Sequence, residues 1–169
     1  MGNNVYIVGF MGTGKSTVGR IVSNRLKRQF VETDDVIEKK EAMKITDIFS
    51  KRGEKYFRNI EKKVLRDIST RDNLIVSCGG GLMIDEANVS LMKETGVIVC
   101  LLADYKTIYY RVKKDKTRPL LNVPHPIKKI KELLKVRAPF YEKADIFIDT
   151  TNISPGNVAT RIIDSLGDV

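Results

Sequence analysis

Histidine and cysteine are nearly absent from this 169-residue chain, which has one of the first, His125, and two of the second, Cys78 and Cys100. A zinc site built from clustered Cys and His ligands is therefore excluded. One disulfide is arithmetically possible. Both cysteines lie in or beside apolar, strand-like segments, however, and buried reduced thiols are expected. His125 stands between Pro124 and Pro126 and reads as loop. Long hydrophobic runs are also missing: none approaches the ~20 residues that a membrane-spanning helix needs. The first residues do not have the charged segment and apolar core of a secretion signal. A cytoplasmic location and no membrane partner are the expectations. Internal repeats, low-complexity tracts and interdomain linkers are absent, and 169 residues with 42 % hydrophobic content suit one domain with one core.

Acidic residues are in deficit, 21 against 30 Lys and Arg, for a net charge of +9. The excess is local. Residues 105–143 hold 12 basic against 3 acidic side chains, and the rest of the chain balances at 18 against 18. A solvated helix face explains this blandly. A basic lid closing over polyanionic ligands explains it more sharply, and the Pro-rich stretch 115–126 suits such a lid.

What is present most clearly is a phosphate-binding loop. Gly9-Phe10-Met11-Gly12-Thr13-Gly14-Lys15-Ser16-Thr17 follows the apolar run Val5-Tyr6-Ile7-Val8, which is a strand entering G-x-x-x-x-G-K-[ST]. The glycines let the backbone curl so that N–H groups point at phosphates. Lys15 is expected to reach the β/γ-phosphates and Ser16 to hold Mg²⁺. Val18, Ile21, Val22, Arg25 and Leu26 then recur at helical spacing, and the start of that helix favours an anion.

Further strands are predicted near 29–32, 73–78, 97–102 and 145–149. Their Val/Ile/Leu content with little alternation predicts a parallel sheet covered on both faces. Helices are predicted from about Val36, over Phe57–Ile68, from about Asp85, over 104–113, over 126–137 with Ile127, Ile130 and Leu134 on one face, and from Pro155 behind a Ser154 cap. The alternation predicts an α/β fold, a three-layer doubly wound domain. Ligands in such folds bind beyond the carboxyl ends of the strands. The phosphate loop, Glu32-Thr33-Asp34-Asp35 and Gly79-Gly80-Gly81 all follow strands directly and should meet there.

Asp34 suits acceptance of a proton from a substrate hydroxyl, although Thr33, Asp34 or Asp35 would also serve as a helix cap. Gly79, Gly80 and Gly81 allow close backbone approach. Arg118, in Arg118-Pro119-Leu120-Leu121, is placed to close on transferring phosphates. By itself Arg58 reads as half of a surface pair with Glu61, and Arg137 as a cation favoured at a helix end.

Taken together, the phosphate loop, Thr33-Asp34, Asp47-Ile48-Phe49, Gly53-Glu54, Phe57-Arg58, Gly79-Gly80-Gly81, Arg118-Pro119-Leu120-Leu121 and Arg137-Ala138-Pro139-x-Tyr141 resemble the shikimate kinases over nearly the whole chain. The resemblance implies ATP-dependent phosphorylation of the 3-hydroxyl of shikimate in aromatic amino-acid biosynthesis. It also implies a five-stranded parallel sheet of order 2-3-1-4-5, a single P-loop kinase domain over residues 1–169, a shikimate-binding helical region at about 33–61 and a mobile lid at about 112–125. By the same resemblance Asp34 binds substrate hydroxyls and serves as base, with Lys15 and Arg118 as its catalytic companions. Arg58 and Arg137 grip the substrate carboxylate and Glu61 orients Arg58. Phe49 and Phe57 wall the ring, and the three glycines line the pocket. Gly12, Thr13, Gly14, Lys15, Ser16 and Thr17 hold ATP phosphates, while Arg111 flanks the adenine on one side and the loop from Thr151 to Pro155 on the other. Ser16, and Glu32 through water, serve Mg²⁺. Glu32 departs from the Asp common in the family and adds a methylene to the metal shell.

The partners implied are shikimate and Mg·ATP, with no nucleic acid, and the chain is expected to act as a monomer. Two rivals stand beside this reading. A kinase for another small carboxylated polyol, such as gluconate, shares its class. A nucleotide-dependent nucleic-acid-binding module would use the basic segment, but aromatics are not interleaved with the basic residues as a stacking platform requires.

Overall fold

The first apolar run becomes the central strand of a sheet. In the computed structural model, which describes residues 3–114, 121 and 123–167, β1 (Asn4–Gly9) is buried along its whole length. It is flanked by β3 (Leu74–Ser77) and β4 (Gly96–Leu102), with β2 (Gln29–Glu32) and β5 (Ile146–Asp149) outside them. Every pairing is parallel and the order is β2-β3-β1-β4-β5. The predicted strand positions and the implied order are both borne out.

Seven helices cover the sheet among the described residues: α1 (Lys15–Leu26), α2 (Thr33–Glu41), α3 (Ile45–Ser69), α4 (Glu86–Thr95), α5 (Tyr105–Val112), α6 (Pro126–Tyr141) and α7 (Pro155–Gly167). Because strand side chains alternate between faces, β1 feeds two cores. Val5 and Ile7 join Val18 and Val22 of α1 and Val158, Ala159 and Ile162 of α7. Tyr6 and Val8 join the buried stripe of α3, with Val89 and Met92 of α4, Ile108 of α5 and Ile130 of α6.

The amino end of the sheet is closed by a buried polar knot. The Tyr6 hydroxyl bonds Ser69 Oγ (3.1 Å) and Thr95 Oγ1 (2.7 Å), tying α3 and α4 together. Asn4 Oδ1 accepts from the Leu74 N–H (2.9 Å), and Asn4 Nδ2 donates to the Arg71 carbonyl (2.8 Å). Buried polar groups satisfied in this way fix geometry and leave the carboxyl end for chemistry. β4 approaches β1 so closely at Gly96 that a Cβ would lie 2.7 Å from the Asn4 carbonyl carbon and 3.0 Å from its Cα. Backbone cannot step aside as a flexible side chain can. Gly96→Ala is therefore expected to cost ~1–3 kcal/mol of stability, read as a lower urea midpoint at unchanged slope.

Three local expectations are corrected. The helix expected near Val36 begins at Thr33, with Glu32 at its N-cap position making no side-chain cap bond. β2 runs into α2 without a loop, so Thr33, Asp34 and Asp35 occupy the first turn, where the helix dipole favours the acids. The stripe from Phe57 to Ile68 is buried as predicted, but it is the second part of a longer helix starting at Ile45 and kinked at Gly53 (φ 81, ψ 168). Only glycine adopts that conformation at little cost. The helix expected to stop at 137 continues through Pro139 to Tyr141, held by tertiary contacts, and Ile127 in its first turn is exposed rather than inward.

Both cysteines are buried and free, and burial pushes the Cys100 thiol up to about 12. They are inert core residues. No helix among the described residues is long and apolar enough to cross a membrane.

Candidate active site

The phosphate loop leaves β1 and turns into α1. Gly12 (φ 78) and Gly14 (φ 96) take left-handed conformations, which side-chain-bearing residues adopt only with strain. The Thr13 hydroxyl donates to the Phe10 carbonyl (2.7 Å), as does Lys15 Nζ (3.1 Å). Gly14 stands at the N-cap of α1 without a side-chain cap, and the first turn carries no acid. Ser16 and Thr17 follow in that turn. Uncapped N–H groups, the positive helix end and Lys15 together make an anion seat.

The loop is braced from outside. Arg111 on α5 donates to the Gly12 carbonyl (3.1 Å), to Thr150 Oγ1 (3.0 Å) and to the Thr150 carbonyl (2.9 Å). It thereby joins the loop to the end of β5. Ser154 caps α7, accepting from the Asn157 N–H (3.3 Å), and Pro155 opens that helix on the same rim. Thr150, buried and bonded through its hydroxyl, directly precedes the loop that the resemblance assigns to the adenine site but was not itself singled out.

Glu32 ends β2 facing Ser16, Ser77, Asp34 and Lys15. Burial raises its carboxyl pKa above the ordinary value, with Asp34 adding to the rise. The Ser16 and Ser77 hydroxyls and Lys15 pull the other way. Thr33, buried beside it, accepts from the Gly79 N–H (2.9 Å) and ties α2 to the triple glycine. Sequence reasoning weighed Thr33 only as a cap.

Gly79, Gly80 and Gly81 form a bare backbone surface on which three elements converge. A Cβ on Gly79 would overlap Glu61 Oε1 and lie 3.2 Å from Asp34 Oδ1. On Gly80 it would lie 3.2 Å from Arg137 Nη1, and on Gly81 it would overlap the Arg58 guanidinium. Arg58, on α3, donates to Glu61 Oε2 (2.5 Å) and to Glu54 Oε1 (3.0 Å). Glu61 is far from the surface acid that the i, i+3 spacing suggested: it is 2 % exposed, and burial raises its pKa to about 7 against the opposing pull of Arg58. Arg137, on α6, is 5 % exposed and lies over the Phe10 ring at 5.5 Å from its centroid. Tyr141, one turn on, donates its hydroxyl to the Gly80 carbonyl (2.8 Å). Phe49 and Phe57 meet with ring centroids 4.7 Å apart and form an apolar wall.

Most of these residues line one cleft of about 1080 Å³. It runs from Arg111 and Pro155 past the phosphate loop to Asp34, Phe49, Phe57, Arg58, the three glycines and Arg137. Arg118 and most of the 115–122 stretch lie outside the described residues. Among the described residues no group of three or more His, Cys, Asp or Glu side chains is placed to hold a metal. One hydroxyl and one carboxylate, Ser16 and Glu32, do face each other beside the anion seat. That sparse oxygen set suits Mg²⁺, which keeps most of its waters and takes phosphate oxygens.

The model of the family described as shikimate kinase matches residues 11–167. A shikimate kinase from Thermodesulfovibrio yellowstonii is 45 % identical over 160 residues, covering 95 % of this chain and 92 % of that protein. Among solved structures, shikimate kinase from Acinetobacter baumannii in complex with shikimate superposes with a TM-score of 0.95 at 37 % identity, covering 98 % of this chain and 93 % of that one. The enzyme from Aquifex aeolicus gives 0.85 at 38 %, covering 97 % and 96 %. On this family match and these near full-length relatives, the chain belongs to the shikimate kinase family and has shikimate kinase activity.

Proposed function

We propose that this chain transfers the γ-phosphoryl group of ATP to the 3-hydroxyl of shikimate with the residues that line the cleft. The supporting observation is the convergence of Arg58 and Arg137, from separate helices, on the glycine surface next to the phosphate loop. Guanidinium forks suit a carboxylate, and the anion seat suits a nucleotide. In this reading ATP lies with its phosphates on residues 12–17 and its adenine between Arg111 and Pro155. Shikimate lies on Gly79–Gly81, its carboxylate on Arg58 and Arg137 and its ring against Phe49 and Phe57. Asp34 binds the reacting hydroxyl and accepts its proton. The hydroxyl oxygen bonds to the γ-phosphorus as the bond to the bridging β–γ oxygen breaks, and ADP leaves. Lys15 stabilises the charge on the phosphates. Ser16, and Glu32 through water, would hold Mg²⁺, which supplies further neutralisation of the β/γ-oxygens when bound. Arg118, on the basic lid proposed for 112–125, adds a cation and excludes water, because an open site would hydrolyse ATP.

In this reading the working unit is a monomer. Two free buried thiols fit a reducing cytoplasm.

A coupled ADP-release assay with Mg·ATP tests the proposal, with shikimate, gluconate or no acceptor. Shikimate-dependent turnover with little ATP hydrolysis alone is expected. Turnover with gluconate only would discard the acceptor assignment and keep the kinase. Gly81→Ala drives a methyl into the Arg58 guanidinium. It is expected to raise the shikimate KM by roughly tenfold or more, as for a lost charge-assisted bond, while the ATP KM stays within about twofold.

A further inference from the structure

Glu61 is the acid of the site that the proposed reaction leaves without a chemical task beyond orienting Arg58. Its two oxygens are placed differently. Oε2 accepts from Arg58 Nη1 (2.5 Å). Oε1 is buried without a hydrogen-bond partner and lies over Gly79, beside the Asp34 carboxylate. A buried carboxylate oxygen with no donor is a costly place for negative charge. It is also a position at which a carboxylic acid can carry its proton while the other oxygen still accepts from arginine.

The charges around Glu61 are few. Its own helix presents Arg58, which also binds Glu54. α2 presents Asp34, and α6 presents Arg137, with Tyr141 beside it. The end of β3 presents Cys78. The Tyr141 and Cys78 groups are held neutral by burial, which raises both pKa values. Two guanidinium groups and one carboxylate, that of Asp34, thus act on Glu61. A substrate carboxylate on Arg58 and Arg137 brings a third anion and draws on the same two cations.

We infer that Glu61 takes up a proton, on Oε1, when the substrate's carboxylate binds Arg58 and Arg137. This rests on the carboxylate site proposed above. The carboxyl already sits at about 7 in the free protein, so a modest added negative potential moves it across neutral pH. The sign follows from linkage. Below the free value Glu61 is protonated in both states and affinity is flat. Above it, binding requires the proton, and Kd rises by up to ~10-fold per pH unit until the value in the complex is reached. Glu61 acts here through Arg58 and is a positioning residue.

Isothermal titration of shikimate into the intact protein without nucleotide, in phosphate and in Tris at pH ~8, counts the protons. Net uptake approaching one proton is expected, together with a Kd that climbs between pH ~7 and ~9. Glu61→Gln, isosteric and permanently neutral, should abolish both and bind at pH ~8 as the unmodified protein binds at low pH. Binding without proton uptake overturns the inference and leaves the carboxylate site standing. Uptake that persists in Glu61→Gln, or a variant weakened equally at every pH, also overturns it. Absence of any binding overturns the site itself and the inference with it. The proton count on the unmodified protein decides the matter even if the variant folds poorly.

Discussion

Asp34→Asn is expected to lower kcat by roughly 10²–10⁴-fold, the range for loss of a positioned general base. The substitution keeps the shape of the side chain and its place in the first turn of α2. It removes the charge and the capacity to accept a proton. Thr33 still anchors that turn to Gly79, so the fold and the glycine surface should survive. A steady-state assay varying shikimate and ATP separately reads the result. A fall in kcat with both KM values near normal supports proton acceptance. A rise in the shikimate KM with kcat intact would reduce Asp34 to a binding group. The side of the side chain near Glu61 carries a further sign: amide for carboxylate removes negative potential beside Glu61, which lowers the tendency of that acid to hold a proton.

Arg137→Ala is expected to raise the shikimate KM by roughly 10- to 150-fold, the equivalent of ~1.5–3 kcal/mol for a charge-assisted hydrogen bond. The guanidinium is buried, lies over Phe10 and faces Gly80. Water that enters the vacated space cannot match the paired donors. The ATP KM should change less, because Arg137 meets the phosphate loop at the Phe10 ring and not at residues 12–17. Loss of packing over Phe10 also lowers stability, so thermal melts belong beside the kinetics. Tyr141 keeps its bond to the Gly80 carbonyl and holds α6 in place. Equal weakening of both substrates would instead indicate a displaced helix.

What the sequence made legible was whatever leaves a local signature. Val5-Tyr6-Ile7-Val8 and Gly12-Thr13-Gly14-Lys15-Ser16 announce strand, loop and helix within a dozen residues, and the parallel order carries each loop to one end of the sheet. Arg58 and Arg137 carry no such signature. On a helix each looks like a solvated cation, and only tertiary packing brings them to adjacent glycines. Motif resemblance supplied that pairing where residue physics did not. Glu61 illustrates the same limit: its spacing to Arg58 is that of a surface pair, yet packing of α3 against the sheet buries it and changes its chemistry. The start of α3 was missed because Gly53 interrupts the pattern, and the start of α2 because no loop separates it from β2. Thr150 contributes through a carbonyl and a hydroxyl to a residue 39 positions away, a separation at which spacing holds no information.

The glycine surface has a genetic consequence. A methyl at residue 79 meets Glu61 and Asp34, at residue 80 it meets Arg137, and at residue 81 it meets Arg58. Each collision has its own culprit, so no single second change relieves all three. Each is relieved by moving or trimming a side chain that binds the substrate or positions one that does. A second change that frees the space would therefore also disturb Arg58, Arg137 or Glu61, and full activity would not return by that route. Selection for restored growth would return true revertants at the same codon.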